Sequence, residues 1–428
     1  MTTFVASPSP QGVRGRVRVP GDKSVSHRAL LLAARADGRS RLTGLSVGLD
    51  VLATRRAIEQ FGAATERDGD GRLIVEGGAA RLKEPESVVD VGNSGTGIRL
   101  LAGWSAGIDG LTVLTGDESI ATRPMGRVIE PLRQMGARID GRHDGHLPPV
   151  AVRGGGLHGI DYRLPVPSAQ VKGAILLAGL TAEGDTTVRE EVPTRAHTEE
   201  MLTMCGADVT VSPGAVVVRR SRLRPFDLDV PGDPSQAAFW IVAACITPGS
   251  DVTVERVYVG TGRAGFLDVL SRMGADIELV DKDAGSSTAT IRARFGPLKA
   301  TDVGGDEIPA LIDEIPALAV AAAYAEGTTT FADASELRVK ESDRVASMTA
   351  ALVAVGAESD GRPDGLVVHG GGGRRLPGGE VDSAGDHRVA MAMAVAAFPA
   401  GGPIAISGWD AVATSYPGFE EEFEKCSS

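Results

Sequence analysis

The stretch LLAGWSAGIDGLTVLTG (residues 100–116) sets an apolar run of helical character against a β-branched strand, with a turn glycine at 110. The same order recurs in LLLAARADGRSRLTGL (30–45), LLAGLTAEGDTTV (176–188), IVAACITPGSDVTVERV (241–257), AVAAAYAEGTTTF (319–331) and AVAAFPAGGPIAISGW (394–409). The turn glycines fall at 38, 110, 184, 249, 327 and 402, so the spacing is 65 to 78 residues. A fixed period of that kind marks a repeat architecture. A second series interleaves with the first: amphipathic helices ending in Gly-Ala before a strand, at Gly62, Gly136, Gly206, Gly274 and Gly356. Glycine just past a helix end suits a left-handed cap. Each unit therefore reads helix, strand, helix, strand, and six units fill the chain.

A longer echo divides the six into halves. Val19-Pro20-Gly21-Asp22-Lys23-Ser24 returns as Val230-Pro231-Gly232-Asp233-Pro234-Ser235. The expected organisation is two pseudo-threefold domains, residues 20–230 and residues 1–19 plus 231–428. The piece before Pro20 is expected to supply strand to the sixth unit, which lacks closing strands of its own.

Composition narrows the function. Of 428 residues, 42% are hydrophobic and 23% charged, ordinary values for a chain that buries real cores. Fifty-six acids against 44 bases leave a net charge of −12, the wrong sign for general binding to nucleic acid or an anionic membrane. Cys205, Cys245 and Cys426 have neither disulfide-framework nor zinc spacing. No basic segment leads an apolar core at the start, and no apolar run is long enough for a bilayer, so a soluble cytoplasmic protein is expected.

The chemistry gathers at the helix starts. Asp22-Lys23-Ser24-Val25-Ser26-His27-Arg28, Asn93-Ser94-Gly95, Ser168-Ala169-Gln170, Asp233-Pro234-Ser235, Asp313-Glu314 and Asp386-His387-Arg388 open the first helices of the six units. Ser235 and Ser415 are read as helix caps. Capping does not call for Lys23, Arg28, Arg123, Arg195, Lys340, Arg344 and Arg388, because cations at helix N-termini oppose the helix dipole. An external anion would reverse that sign, and guanidinium forks suit phosphate and carboxylate. The expectation is a binder or enzyme for phosphorylated or carboxylated metabolites, with Asp313 and Glu341 able to move protons. His27 and His387 are read as structural or charge-tuning groups.

Eight strings, in order, resemble the EPSP synthase family: PGDKSVSHR, GNSGTGIRLL, TRPMGRVIEPL, PSAQVKGAILLAGL, TRAHTEEML, IDEIPALAVAAA, LRVKESDR and DHRVAMAMAV. They run from Gly21 to Tyr416, and PSAQVKGA, TRAHTEEML and TSYPGF are similar to the class II bacterial branch. The resemblance implies a two-domain inside-out α/β barrel, the enolpyruvyltransferase fold, of six βαβαββ repeats that close over the substrates. It implies transfer of the enolpyruvyl group of phosphoenolpyruvate (PEP) to the 5-hydroxyl of shikimate 3-phosphate, with release of phosphate. No cofactor or metal is implied. By motif, Lys23, Ser24, Arg28, Ser168, Ala169, Gln170 and Arg195 would hold shikimate 3-phosphate, with Asp313 and Lys340 at its hydroxyls. Lys23, Arg123, Arg344 and Arg388 would grip PEP, with Gln170 and the Asn93-to-Gly95 turn assisting. Lys23, Asp313 and Glu341 would carry the proton chemistry. Thr414 stands where other branches carry lysine, as in class II. Gly95 stands where alanine accompanies tolerance of glyphosate, so competition by glyphosate against PEP is expected, as is a monomer.

Three rivals share features of this pattern. A UDP-N-acetylglucosamine enolpyruvyltransferase would carry Lys-Asn in its first motif and a cysteine in its catalytic loop; here stand Lys23-Ser24 and a cysteine-free stretch from Glu118 to Gly126. An enolpyruvyltransferase for another alcohol meets intact Ser24, Arg28, Gln170 and Arg195. A non-catalytic polyanion-binding protein would have little use for Asp313 and Glu341.

Overall fold

The computed structural model describes residues 2–283 and 285–427. It divides into two compact units, Gly21–Val230 and Met1–Pro20 with Pro231–Ser428. Each is built in the same way.

In the Gly21–Val230 unit three helices, Lys23–Arg35, Gly95–Ala106 and Ala169–Gly179, lie inside and pack on one another. Their side chains merge into one core that includes Leu30, Leu101, Trp104 and Ile175, all fully buried. Around them, among the described residues, stand three four-stranded sheets of one design. The middle sheet shows it. Val89–Asp90 runs parallel to Gly110–Thr115, which pairs antiparallel with Leu147–Gly154, and that strand with Arg138–Arg142. In the first sheet the parallel outer strand is Asp227–Asp229, from the far end of the unit, so the unit closes on itself through Leu228 beside Leu42.

The second unit repeats this plan around Pro234–Ile246, Ile315–Tyr324 and His387–Ala396. Every residue of Pro234–Ile246 is buried, which its run of apolar and small residues explains. The N-terminal segment is shared between two sheets. Thr3–Ala6 pairs antiparallel with Ile404–Ser407 in the sixth repeat, as expected from the sequence, while Arg14–Val17 pairs parallel with Asp251–Tyr258 in the fourth. The segment thus has a second destination, in the fourth repeat, that the sequence reading did not include. The strand Asp227–Asp229, used by the first repeat, leaves the fourth without a parallel strand before Pro231, and Arg14–Val17 fills that place. Among the described residues, no helix is long and apolar enough to cross a membrane.

Close packing of the inner helices depends on small residues. A Cβ on Gly103 would lie 2.1 Å from the Ala174 carbonyl oxygen of the neighbouring helix. Helix propensity alone favours alanine over glycine by about 1 kcal/mol. Overpacking against backbone costs about 1–3 kcal/mol and wins. Gly103→Ala is expected to lower the urea midpoint of unfolding without changing the slope of the transition.

Candidate active site

Within the Gly21–Val230 unit the starts of the inner helices are tied by side chains. Asp22 caps the first helix by accepting from the Val25 amide at 2.8 Å. Lys23 Nζ reaches Asp50 Oδ2 at 2.9 Å, and the Asp50 side chain is 4% exposed. One turn on, buried Arg28 donates from Nε to Thr198 Oγ1 at 2.8 Å and from Nη1 to the Ser24 carbonyl at 3.0 Å. Thr198 opens the His197–Met204 helix just after half-buried Arg195, so Arg28 and Arg195 belong to one neighbourhood.

His27 is fully buried and shares a 2.7 Å hydrogen bond with Thr54 Oγ1. Burial first, then the charges of Lys23 and Arg28, hold its pKa well below the ordinary 6.5. The ring is therefore neutral near pH 7 and adds no charge of its own to this helix start.

Ser94 caps the second inner helix through the Gly97 amide at 3.0 Å, and Gly95 is that helix's first residue rather than part of the turn expected from the sequence. A Cβ on Gly95 would sit 2.2 Å from Arg123 Nη1 and 3.3 Å from Arg99 Nη1. The bare glycine is what lets two guanidiniums approach this helix start. Arg99 donates to Gln170 Oε1 at 2.7 Å and to the Pro124 carbonyl at 3.1 Å, while Gln170 Nε2 donates to Thr96 Oγ1 at 3.0 Å. Both ends of the Gln170 amide are thereby oriented. Ser168 caps the third inner helix at the Val171 amide, 3.3 Å, and Ala169 is its first residue. Asn93, half-buried, lies just before the Ser94 cap.

The second unit gathers Asp313, Lys340, Glu341, Arg344 and Arg388. Arg344, its side chain 1% exposed, donates from Nε to Asp386 Oδ2 at 2.8 Å, from Nη1 to Asp313 Oδ1 at 3.2 Å and from Nη2 to Glu341. Burial works against its charge, but Asp386, Glu341 and Asp313 outweigh it and push its pKa up. Burial likewise opposes ionised Asp386, and Arg344 wins, lowering its pKa. Asp386 also caps the His387–Ala396 helix at the Arg388 amide, 2.8 Å. Lys340 Nζ lies 3.3 Å from Asp313 Oδ1. Arg388, 5% exposed, donates to the Asp313 carbonyl at 2.8 Å and meets no carboxylate among the described residues.

Two sequence expectations change here. The sequence predicts that misplaced cations demand an external anion; Lys23, Lys340 and Arg344 instead have protein carboxylates beside them, while the argument keeps its force at Arg388. Ser235 does not cap its helix. Asp233 accepts from the Ser235 amide at 2.8 Å, and the Ser235 hydroxyl donates to Glu314, itself bound by buried Arg263 at 2.7 Å. Nor does Ser415 open a helix: it follows the short Trp409–Thr414 turn. Site-region residues that sequence reasoning passes over are Arg99, Thr198 and the pairing role of Asp50. Their partners lie 71, 170 and 27 residues away.

Two units of inward helices with polar, charged starts define the enolpyruvyltransferase fold. An enolpyruvyl transferase from Streptomyces tendae superposes with a TM-score of 0.79 over 99% of this chain and 97% of that one, at 19% identity, a likeness of fold alone. The EPSP synthase (3-phosphoshikimate 1-carboxyvinyltransferase) family model matches residues 8–423, and the chain belongs to that family. A 3-phosphoshikimate 1-carboxyvinyltransferase of Thermus thermophilus is 50% identical, covering 96% of both chains. Another, from Synechococcus strain JA-3-3Ab, is 49% identical over 96% of this chain and 93% of its own. The EPSP synthase structure from Acinetobacter baumannii gives a TM-score of 0.87 at 41% identity, over 99% and 98% of the two chains.

Neutral His27 has a consequence for acid stability. Its folded pKa lies below the unfolded value, so the unfolded chain binds the extra proton first and stability falls as pH drops below about 6.5. His27→Gln is expected to remove that part of the loss, flattening the unfolding free energy between about pH 6.5 and 5 relative to the parent; urea titrations at fixed pH read the difference.

Proposed function

We propose that this chain catalyses transfer of the enolpyruvyl group of PEP to the 5-hydroxyl of shikimate 3-phosphate, giving 5-enolpyruvylshikimate 3-phosphate and phosphate. Family membership over nearly the whole chain supports the reaction. The observation that carries the residue assignment is Arg388: a buried guanidinium at a helix start whose only hydrogen-bond partner among the described residues is a neutral carbonyl. A buried charge without a counter-ion is costly, and a phosphate or carboxylate of a substrate supplies one.

The chemistry assigns the rest. PEP becomes electrophilic at C2 when its methylene carbon takes a proton. Glu341, with Lys23, is the proposed source. Asp313 accepts the proton of the 5-hydroxyl as its oxygen attacks C2. The tetrahedral adduct then loses phosphate: the C2–O(phosphate) bond breaks, and a proton passes from the methyl carbon back to Glu341, restoring the double bond. Arg123, Arg344 and Arg388 stabilise the departing charge. Gln170 and the Asn93-to-Gly95 segment orient PEP. Ser24, Arg28, Ser168, Ala169 and Arg195 hold the shikimate phosphate and ring, with Lys340 at the hydroxyls. Arg344 holds both proposed proton-transfer carboxylates, so a single guanidinium fixes the spacing of Asp313 and Glu341. The reading takes the chain as a cytoplasmic monomer.

Phosphate release from PEP is expected only when shikimate 3-phosphate is present. Either no release, or release independent of the second substrate, would count against the assignment. Glu341→Gln should lower kcat about 10²–10⁴-fold with little change in the dissociation constant of shikimate 3-phosphate. Glyphosate is proposed to compete with PEP. Because a methyl at Gly95 would displace Arg123, Gly95→Ala should raise both the inhibition constant of glyphosate and the KM for PEP; steady-state kinetics with varied PEP would show unchanged values if the site lies elsewhere.

A further inference from the structure

Arg195, one of the groups proposed to hold the shikimate phosphate, stands on residues 190–196. This link joins the strand Thr186–Arg189 to the helix His197–Met204 and contains neither helix nor strand. It has no regular ladder to hold it, and Pro193 has no amide to donate. Arg195 is half-buried, so the aim of its guanidinium depends on where the Thr194–Arg195 peptide sits.

That peptide is tied to the third inner helix through a buried charge network. Glu190 Oε2 accepts the Thr194 amide at 3.1 Å and the Thr194 hydroxyl at 2.7 Å. The other oxygen, Oε1, accepts from Lys172 Nζ at 2.9 Å. Lys172 lies on the Ala169–Gly179 helix with its side chain 1% exposed, and its Nζ is also 3.5 Å from the Thr194 carbonyl oxygen. Amide, hydroxyl and carbonyl of the residue before Arg195 are therefore all held from the helix that opens with Ala169 and Gln170. Glu199, 2.7 Å from the same Nζ, completes the network. Gly173 leaves room beside it: a Cβ there would lie 2.9 Å from Thr198 Oγ1 and 3.1 Å from Arg28 Nη2.

Two carboxylates on one lysine exceed what charge balance needs. Buried ion pairs add little net stability, because desolvation offsets their attraction. Their hydrogen bonds are directional, however, and fix geometry. Glu199 sits in the first turn of its own helix, where an acid suits the helix dipole. Glu190 precedes that helix and divides its two oxygens between Lys172 and Thr194.

We propose that Glu190, oriented by Lys172, is a positioning residue for shikimate 3-phosphate, given the role proposed above for Arg195. It sets the Thr194–Arg195 peptide and with it the aim of the Arg195 guanidinium at the phosphate. Neither Glu190 nor Lys172 touches the substrate.

Calorimetric titration of shikimate 3-phosphate into the full chain tests this role. Glu190→Gln leaves Lys172 balanced by Glu199, but its amide keeps one accepting oxygen where two stand now. Either the tie to Lys172 or the tie to Thr194 is lost. The Kd should rise about tenfold, while the KM for PEP at saturating shikimate 3-phosphate stays within about twofold. Glu199→Gln makes the same charge change in the same network without touching Thr194, and should leave the Kd within about twofold. On an Arg195→Ala background, Glu190→Gln should weaken binding by less than about twofold further, because the group it positions is gone. Should Glu190→Gln not fold, Thr194→Val keeps the charge network whole and removes only the hydroxyl tie. It should raise the Kd about threefold, and again only when Arg195 is present. An unchanged Kd in Glu190→Gln, equal weakening in Glu199→Gln, or an effect that persists undiminished without Arg195 overturns the positioning role. A parent chain that does not bind shikimate 3-phosphate overturns the proposed function as well. Parent binding that Arg195→Ala leaves intact overturns the Arg195 assignment, and the positioning role with it.

Discussion

The constraint on which the molecule depends is that its six inner helices have no polar side. All thirteen residues of Pro234–Ile246 are buried, and Ile315–Tyr324 is buried throughout. Such helices cannot carry chemistry along their length. Only their ends can present a charged or hydrogen-bonding group. The starts have the further advantage of free amides and partial positive charge. Three helices packed side by side gather these starts within each unit, and the ties from Arg99 to Gln170 and from Arg388 to the Asp313 carbonyl show the gathering directly.

Cations at such positions must still be neutralised, and the chain does this in different ways. Lys172 is enclosed by Glu190 at 2.9 Å and Glu199 at 2.7 Å, and Arg263 by Asp233 and Glu314, both at 2.7 Å. These are closed, buried networks, and removing one partner from such a pair costs about 3–5 kcal/mol because the other charge stays buried alone. Arg388 is treated differently: among the described residues its guanidinium meets only a backbone carbonyl. Arg344 stands between the cases, its charge matched by carboxylates that include the two proposed to move protons. Internal pairing thus separates the cations closed into networks, Lys172 and Arg263, from Arg388, the one proposed above to meet a substrate anion.

The repeat was legible because its signals are local: an apolar run, a turn glycine and a β-branched strand occupy about fifteen residues at a time. Nearly every cation placed at a site by type and motif sits at or beside a helix start in the structure, since helix starts are also locally readable. Pairings were not. Nothing near Arg28 points to Thr198, and nothing near Lys23 distinguishes Asp50 from other helix-start acids, because those contacts depend on how separate repeats pack. The two destinations of the N-terminal segment escaped for the same reason: Thr3–Ala6 and Arg14–Val17 are short, and strand order is decided by which sheet lacks an edge. Gly95 read as a turn because its neighbours Asn93 and Ser94 favour turns; the Ser94 cap begins the helix one residue earlier.

The duplication within the chain supplies its own control on what is structural. Pro20-Gly21-Asp22-Lys23-Ser24 and Pro231-Gly232-Asp233-Pro234-Ser235 occupy equivalent places before the first inner helix of each unit. In both, the aspartate caps the helix, through the Val25 amide in one and the Ser235 amide in the other. The cap is therefore what the fold requires. The next position differs. Proline at 234 is well suited to the first turn, having a preset φ and no amide to leave unpaired. Lysine at 23 is the worse choice electrostatically, beside the positive end of the same helix, and needs Asp50 to sit there. The serines diverge as well, since Ser235 is consumed by Glu314 in a buried network while Ser24 remains half-buried beside Lys23. A scaffold that folds with proline at one copy of this place has no structural need of lysine at the other. The proposed role of Lys23 in substrate binding accounts for a cation that the fold itself does not require.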